Sequence, residues 1–172
     1  MDATSNYDLP YFGHINLNEL KEYYQTTIKL DGKDLEIDIN FENKTIRQDD
    51  ILKVKKFLQK ISKFDIQNLK VIKTDFKEEG ETSEYIEFYL DELDEAELSN
   101  IIDLKNVSIS KEKQLLSKLK LIRVGLYPDE KYGEEYFGVF DYSINIDGEP
   151  CNQLLVVKTN EKGELDHITW ES

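Results

Sequence analysis

The sequence predicts an α+β domain: a mostly antiparallel sheet from an N-terminal hairpin and a C-terminal meander, with a helical central region packed on one face. Three observations predict it. Apolar and polar residues alternate through residues 22–42 and again after residue 119, and a period of two is that of a strand. Between them apolar residues recur at steps of three and four, which is the period of a helix. Strands grouped at the ends and helices grouped in the middle argue against alternating βαβ units. The 172 residues suit one domain, 1–172, and a chain of this size can bury an independent core.

Residues 1–9 are polar and are read as a loose tail, followed by a short strand at 11–15. Residues 22–30 and 34–42 are predicted to form an antiparallel hairpin about Asp31-Gly32, since glycine accepts the positive φ of a tight turn. In its second arm Leu35, Ile37, Ile39 and Phe41 alternate with Glu36, Asp38, Asn40 and Glu42, and the carboxylate-bearing face is expected to lie in water. Thr45 and Gln48 have capping-box spacing. Ile51, Val54, Leu58 and Ile61 then form one helical stripe, with a break at 62–65. A second stripe runs through Ile66, Leu69, Ile72 and Phe76 and stops at Gly80. Tyr85, Ile86, Tyr89, Leu90 and Leu93 suit a third helix. Asp94, with Glu97 three residues on, signals a further N-terminus leading to Leu98, Ile101 and Ile102. Ser108 or Ser110 opens a short helix through Leu115 and Leu116.

Residues 119–127 return to strand pattern, and Pro128-Asp129 is a turn. The strongest core signal follows. Tyr136, Gly138, Phe140, Tyr142, Ile144 and Ile146 line one face of a predicted strand, with Asp141, Ser143 and Asn145 on a wet face opposite. Leu154, Leu155, Val156 and Val157 form a continuous apolar run that suits a strand covered on both faces. Residues 161–163 turn the chain into a last strand at 165–170.

The net charge of −14 repels phosphate backbones and anionic bilayers, so nucleic-acid and membrane partners are not expected. A basic protein partner is compatible with it, although the charge also serves solubility by itself. The charge is segregated. Residues 44–73 carry nine basic side chains against Asp49, Asp50 and Asp65, whereas residues 74–103 carry twelve acidic side chains against Lys77 alone. Packed side by side, such helices would disfavour wrong alignments, while exposed pairs add only about 0.2–1 kcal/mol each. Cys151 is the sole cysteine, which excludes an intrachain disulfide and suits a reducing compartment. The opening MDATSNYDLPYFG has neither the basic head nor the apolar run of a secretory signal. No apolar run reaches bilayer-spanning length. A cytoplasmic location is therefore expected.

No catalytic, cofactor-binding or metal-binding residue is assigned. A histidine-based metal site would need both His14 and His167, and nothing in their spacing brings them together. Asp91, Glu92, Asp94, Glu95 and Glu97 lack the glycine and ligand register of a calcium-binding loop. Cys151 follows Pro150 in a predicted hairpin loop with no base beside it, which suits a plain thiol. Asp141 is read as a residue of a strand's solvent face rather than an acid catalyst.

The segments YFGHINLNELKEYY, LEIDINFEN and LLVVKTNEKGELDHITWES together resemble an uncharacterised bacterial group, domain-of-unknown-function family 2004. The resemblance covers about half the chain, at its two ends. It implies a bacterial cytoplasmic protein and brings no catalytic residues. The function expected is therefore a non-enzymatic protein–protein interaction module that binds a basic partner through an acidic helical face, with Glu84, Glu87, Asp91, Glu92 and Glu95 as its residues. By analogy with small acidic proteins that neutralise toxins, an immunity-like role is its sharper form. The alternative is a small-molecule-binding protein or enzyme with a pocket between sheet and helices, lined by tyrosines such as Tyr136 and Tyr142. A third reading is a protomer whose exposed strand edge pairs with a copy of itself.

Overall fold

The structure is a computed structural model that describes residues 5–172. Among the described residues ten strands and five α-helices follow in chain order. The first four strands are β1 (Asn6–Leu9), β2 (Gly13–Asn16), β3 (Tyr23–Leu30) and β4 (Lys33–Asn40). The helices are α1 (Gln48–Leu58), α2 (Ile61–Lys77), α3 (Glu81–Glu92), α4 (Glu95–Ser99) and α5 (Lys111–Leu116). Then come β5 (Lys120–Leu126), β6 (Gly138–Ser143), β7 (Asn145–Ile146), β8 (Glu149–Pro150), β9 (Leu154–Thr159) and β10 (Leu165–Glu171).

Six strands make one sheet in the order β10-β9-β6-β5-β4-β3. Its pairings are antiparallel except β4 with β5, which run parallel through Glu36↔Arg123 to Ile39↔Leu126. Parallel neighbours need a crossover, and here the whole helical middle supplies it. The N-terminal hairpin and the C-terminal meander thus share one β-layer, as the pattern predicts. The hairpin turn has Asp31 at φ 52° and Gly32 at φ 79°, the two positive values of a type I′ turn.

One face of the sheet carries the core. Ile37, Val124, Phe140, Val157 and Ile168 lie side by side across β4, β5, β6, β9 and β10. Phe57 of α1 and Phe64 of α2 stand 5.8 and 6.5 Å from Phe140, centroid to centroid. Tyr85 and Phe88 of α3 pack on Trp170 of β10. Gly138 has no room for a side chain, because a Cβ there would run into the Phe57 ring and the Thr159 hydroxyl.

Several expectations need correction. Of the proposed tail, residues 1–4 lie outside the described residues, but Asn6–Leu9 is a strand paired with β2, and Leu9 is buried with Ile15 in the core. The helical break falls at Gln59 and Lys60 rather than at 62–65. The stripe of α2 is accordingly Ile61, Phe64, Asn68 and Ile72, and Ile66 is 57% exposed. Arg47, not Thr45, caps α1, and no side chain accepts a bond there. Asp94 and Ser110 do cap α4 and α5, accepting from Glu97 N–H and Lys113 N–H. The strand expected over 136–146 ends at Ser143, and β7 and β8 form a separate small hairpin. Glu36 and Glu42 are exposed as expected, but Asp38 and Asn40 of the same face are not wet. Neither are Asp141 and Ser143, because β6 lies inside the sheet between β5 and β9.

Candidate functional site

The sheet face opposite the aromatic core carries a line of charged side chains. Strand register places Asp38 of β4 beside Gly125 of β5, and Arg123 of β5 beside Asp141 of β6. The Arg123 guanidinium grips Asp38 with both prongs, Nε to Oδ2 at 2.7 Å and Nη2 to Oδ1 at 2.9 Å. Its Nη1 donates to Asp141 Oδ2 at 3.0 Å, and Nη2 also donates to the Tyr127 hydroxyl at 2.9 Å. Asn40 donates to Asp38 Oδ1 at 2.7 Å and to the Leu126 carbonyl at 3.3 Å. Gly125 makes this geometry possible, since a Cβ there would sit 2.5 Å from Arg123 Nη2.

Burial by itself would lower the pKa of Arg123, but its bonds to Asp38 outweigh that and hold it above its ordinary value. Burial raises the Asp141 carboxyl, and the Arg123 charge offsets only part of the rise. With its prongs taken by two carboxylates and a phenol, Arg123 is no free anion clamp. Its chemistry here is to neutralise and fix two buried acids. Sequence reasoning missed this cluster. The alternation of all three strands was visible, but the β4-to-β5 adjacency that unites them was not.

Further along the same face Lys158 bonds Glu134 at 3.1 Å and lies 3.9 Å from Glu171. The Tyr136 ring stands over Lys158 and against His167, and His167 Nδ1 lies 2.7 Å from Asp166 Oδ2. His14 lies on β2, in a different sheet, exposed and 3.9 Å from Asp8. The histidines therefore have separate partners, and among the described residues no group of three or more His, Cys, Asp or Glu could hold a metal ion.

Tyr136 and Tyr142 do not line a common pocket. Tyr136 faces the charged side, whereas the Tyr142 hydroxyl donates to Asp65 Oδ1 at 2.7 Å on the helical side. Asp65 lines a cleft of ≈ 210 Å³ with Leu30, Asp31, Leu69, Lys120 and Leu121. Burial raises its carboxyl above the ordinary value, partly offset by the Tyr142 bond. Cys151 is half-buried in the loop after β8, its N–H donating to Ser143 Oγ at 3.1 Å.

The acidic residues singled out from the sequence share an exposed surface. Glu84, Glu87 and Asp91 occupy successive turns of α3, Glu92 ends that helix and Glu95 opens α4, and all five are exposed. The opposite face of α3 is anchored by Thr82, Tyr85, Ile86 and Tyr89, all buried. The Tyr85 hydroxyl donates to the Gln153 carbonyl at 2.8 Å, and burial pushes its pKa up to about 12. Among the described residues none of the five carboxylates forms an ion pair with a cation, and the ion pairs of the basic helices, Arg47 and Lys53 with Asp50, stay at the start of α1. So α2 and α3 pack together without neutralising one another. The like charge of Asp94 pushes the Glu97 carboxyl above its ordinary value, another sign of local negative potential.

Compared with protein-family models, with curated proteins and with solved structures, the chain matches none of them. No described helix is long and apolar enough to cross a membrane.

Proposed function

We propose that this chain is a non-enzymatic protein-binding module whose acidic ridge on α3 and α4 receives a basic protein. The observation that carries this reading is the ridge itself: Glu84, Glu87, Asp91, Glu92 and Glu95 stand exposed on an anchored helical surface with no counter-cation among the described residues. Uncompensated charge of one sign steers a partner of the other and speeds encounter, an effect that salt weakens. Rigid anchoring of α3 through Tyr85 and Tyr89 means that little ordering opposes binding at the ridge. An immunity-like role, in which the partner is a toxin with a basic surface, is the sharpest form of the reading.

The test uses the intact chain with Glu84→Lys, Glu87→Lys, Asp91→Lys and Glu95→Lys combined, measured against basic proteins captured from the native cell. Affinity is expected to fall by at least about tenfold at low salt, with a flatter salt dependence. Unchanged affinity and salt slope would refute the ridge as the binding surface.

One observation favours the second reading, a small-molecule site. The Asp65 carboxyl, half-buried and bonded to Tyr142, lies in the cleft between the β3–β4 turn, α2 and β5. A thermal-shift screen of small cationic and neutral compounds against the chain and its Asp65→Asn variant tests it. A compound that stabilises only the unmodified chain supports this reading, and a screen without one removes it.

A further inference from the structure

We propose that two copies of this chain associate through β3, joining their sheets edge to edge about a two-fold axis at Thr26. Among the described residues β3 has only one neighbour, β4, so its outer edge is open. The type I′ turn makes Leu30 and Lys33 a bonded pair. By alternation Tyr24, Thr26, Ile28 and Leu30 point their backbone groups at β4, and those of Tyr23, Gln25, Thr27 and Lys29 point outward. Protected edges carry prolines, bulges or unpaired charges. This one is eight residues long, has no proline, and pairs with β4 without a register shift. Its one charged residue, Lys29, is already neutralised by Asp34 at 2.5 Å.

Charge selects both the occupant and the register. Each copy has a net charge of −14, yet β3 contains no carboxylate, so two acidic chains can meet along it. A two-fold at Thr26 sets Tyr23 opposite Lys29, Gln25 opposite Thr27 and Tyr24 opposite Ile28, each pair on one face of the joined sheet. The same axis brings Lys21, just before the strand, towards Asp31 of the other copy, twice. Among the described residues neither Lys21 nor Asp31 has an ion pair, while neighbouring Glu22 is paired with Lys131 at 3.6 Å. Moving the axis by one residue either way sets Lys21 against Lys33 or Lys29, which like-charge repulsion disfavours.

The test is sedimentation velocity of the full chain over a concentration series. A concentration-dependent dimer is expected, and a chain that stays monomeric at millimolar concentration overturns the proposal. Thr27→Pro removes an outward N–H that the fold does not use and should weaken association at least about tenfold. Lys21→Glu and Asp31→Lys leave the strand untouched, and each should weaken self-association about tenfold, because two attractive pairs become repulsive. An equimolar mixture of these two variants restores both pairs and should recover a heterodimer. A mixture no tighter than either variant alone overturns the register. An edge that takes up only a strand from another protein, with the chain itself monomeric, overturns the dimer.

Discussion

Arg123 shows most directly how one residue commits three strands. Asp38 and Asp141, with side chains 3% and 9% exposed, depend on it for their charge balance. Replacing it by methionine leaves both carboxylates buried without a cation, and loss of one member of such a set costs about 3–5 kcal/mol. Urea unfolding should register that loss. Gly125→Ala should destabilise by about 1–3 kcal/mol through crowding of the same guanidinium, with the Asp38 grip loosened. Asp65 gives the pH prediction. Burial raises its folded pKa above the ordinary 3.8, so the folded chain holds that proton more tightly than the unfolded one. Its contribution is therefore greatest below the unfolded value and is lost as pH rises through the folded value. Thermal unfolding from pH 3.5 to 7 should show Asp65→Asn gaining stability relative to the unmodified chain as pH rises. A constant difference between them would contradict this. At this scale the sequence was least legible. Asp141 and Asp38 were read as wet because alternation alone reports a polar face, and only the neighbouring strand reveals whether that face holds a cation.

At the scale of the element the sequence was far more explicit. The β3–β4 hairpin, the caps at Asp94 and Ser110, and the buried stripe of α3 follow from local rules: turn chemistry, side-chain acceptors near free N–H groups, and helical spacing. The α1–α2 boundary was misplaced because Ile61 continues the α1 stripe in sequence while opening α2 in space. The two faces of α2 should answer mutation accordingly. Ile66→Lys, on the exposed side of α2, should change stability by no more than about 0.5 kcal/mol. Ile72→Ala, in the core, should cost about 2–5 kcal/mol. Asp94→Ala removes the acceptor for the Glu97 N–H and should cost about 1 kcal/mol, seen as a lower urea midpoint at unchanged slope.

For the whole molecule, the decisive feature is that charge and apolar surface are sorted into separate layers. The core lies between helices and sheet, the neutralised acids lie on the far sheet face, and the uncompensated acids lie along α3 and α4. Repulsion within that last group is relieved by salt, so unfolding midpoints should rise from 10 mM to 200 mM sodium chloride. The quadruple lysine variant on α3 and α4 should show a smaller rise. The two-ended sheet was readable from periodicity, whereas the order of its strands was not. Hydrophobic pattern specifies which face is buried but not which neighbour a strand takes.

The parallel seam between β4 and β5 has a consequence for biosynthesis. The hairpin leaves the ribosome early, but its permanent neighbour is encoded after the whole helical segment, and β5 is itself enclosed only once β6 and β9 follow. A growing chain therefore carries an unfinished layer, with Ile37 and Ile39 lacking their β5 neighbours Val124 and Leu126 until the helical segment and β5 have been made. Cooperative folding must wait for the C-terminal strands, and chains released short of β9 should be the species that chaperones and proteases meet.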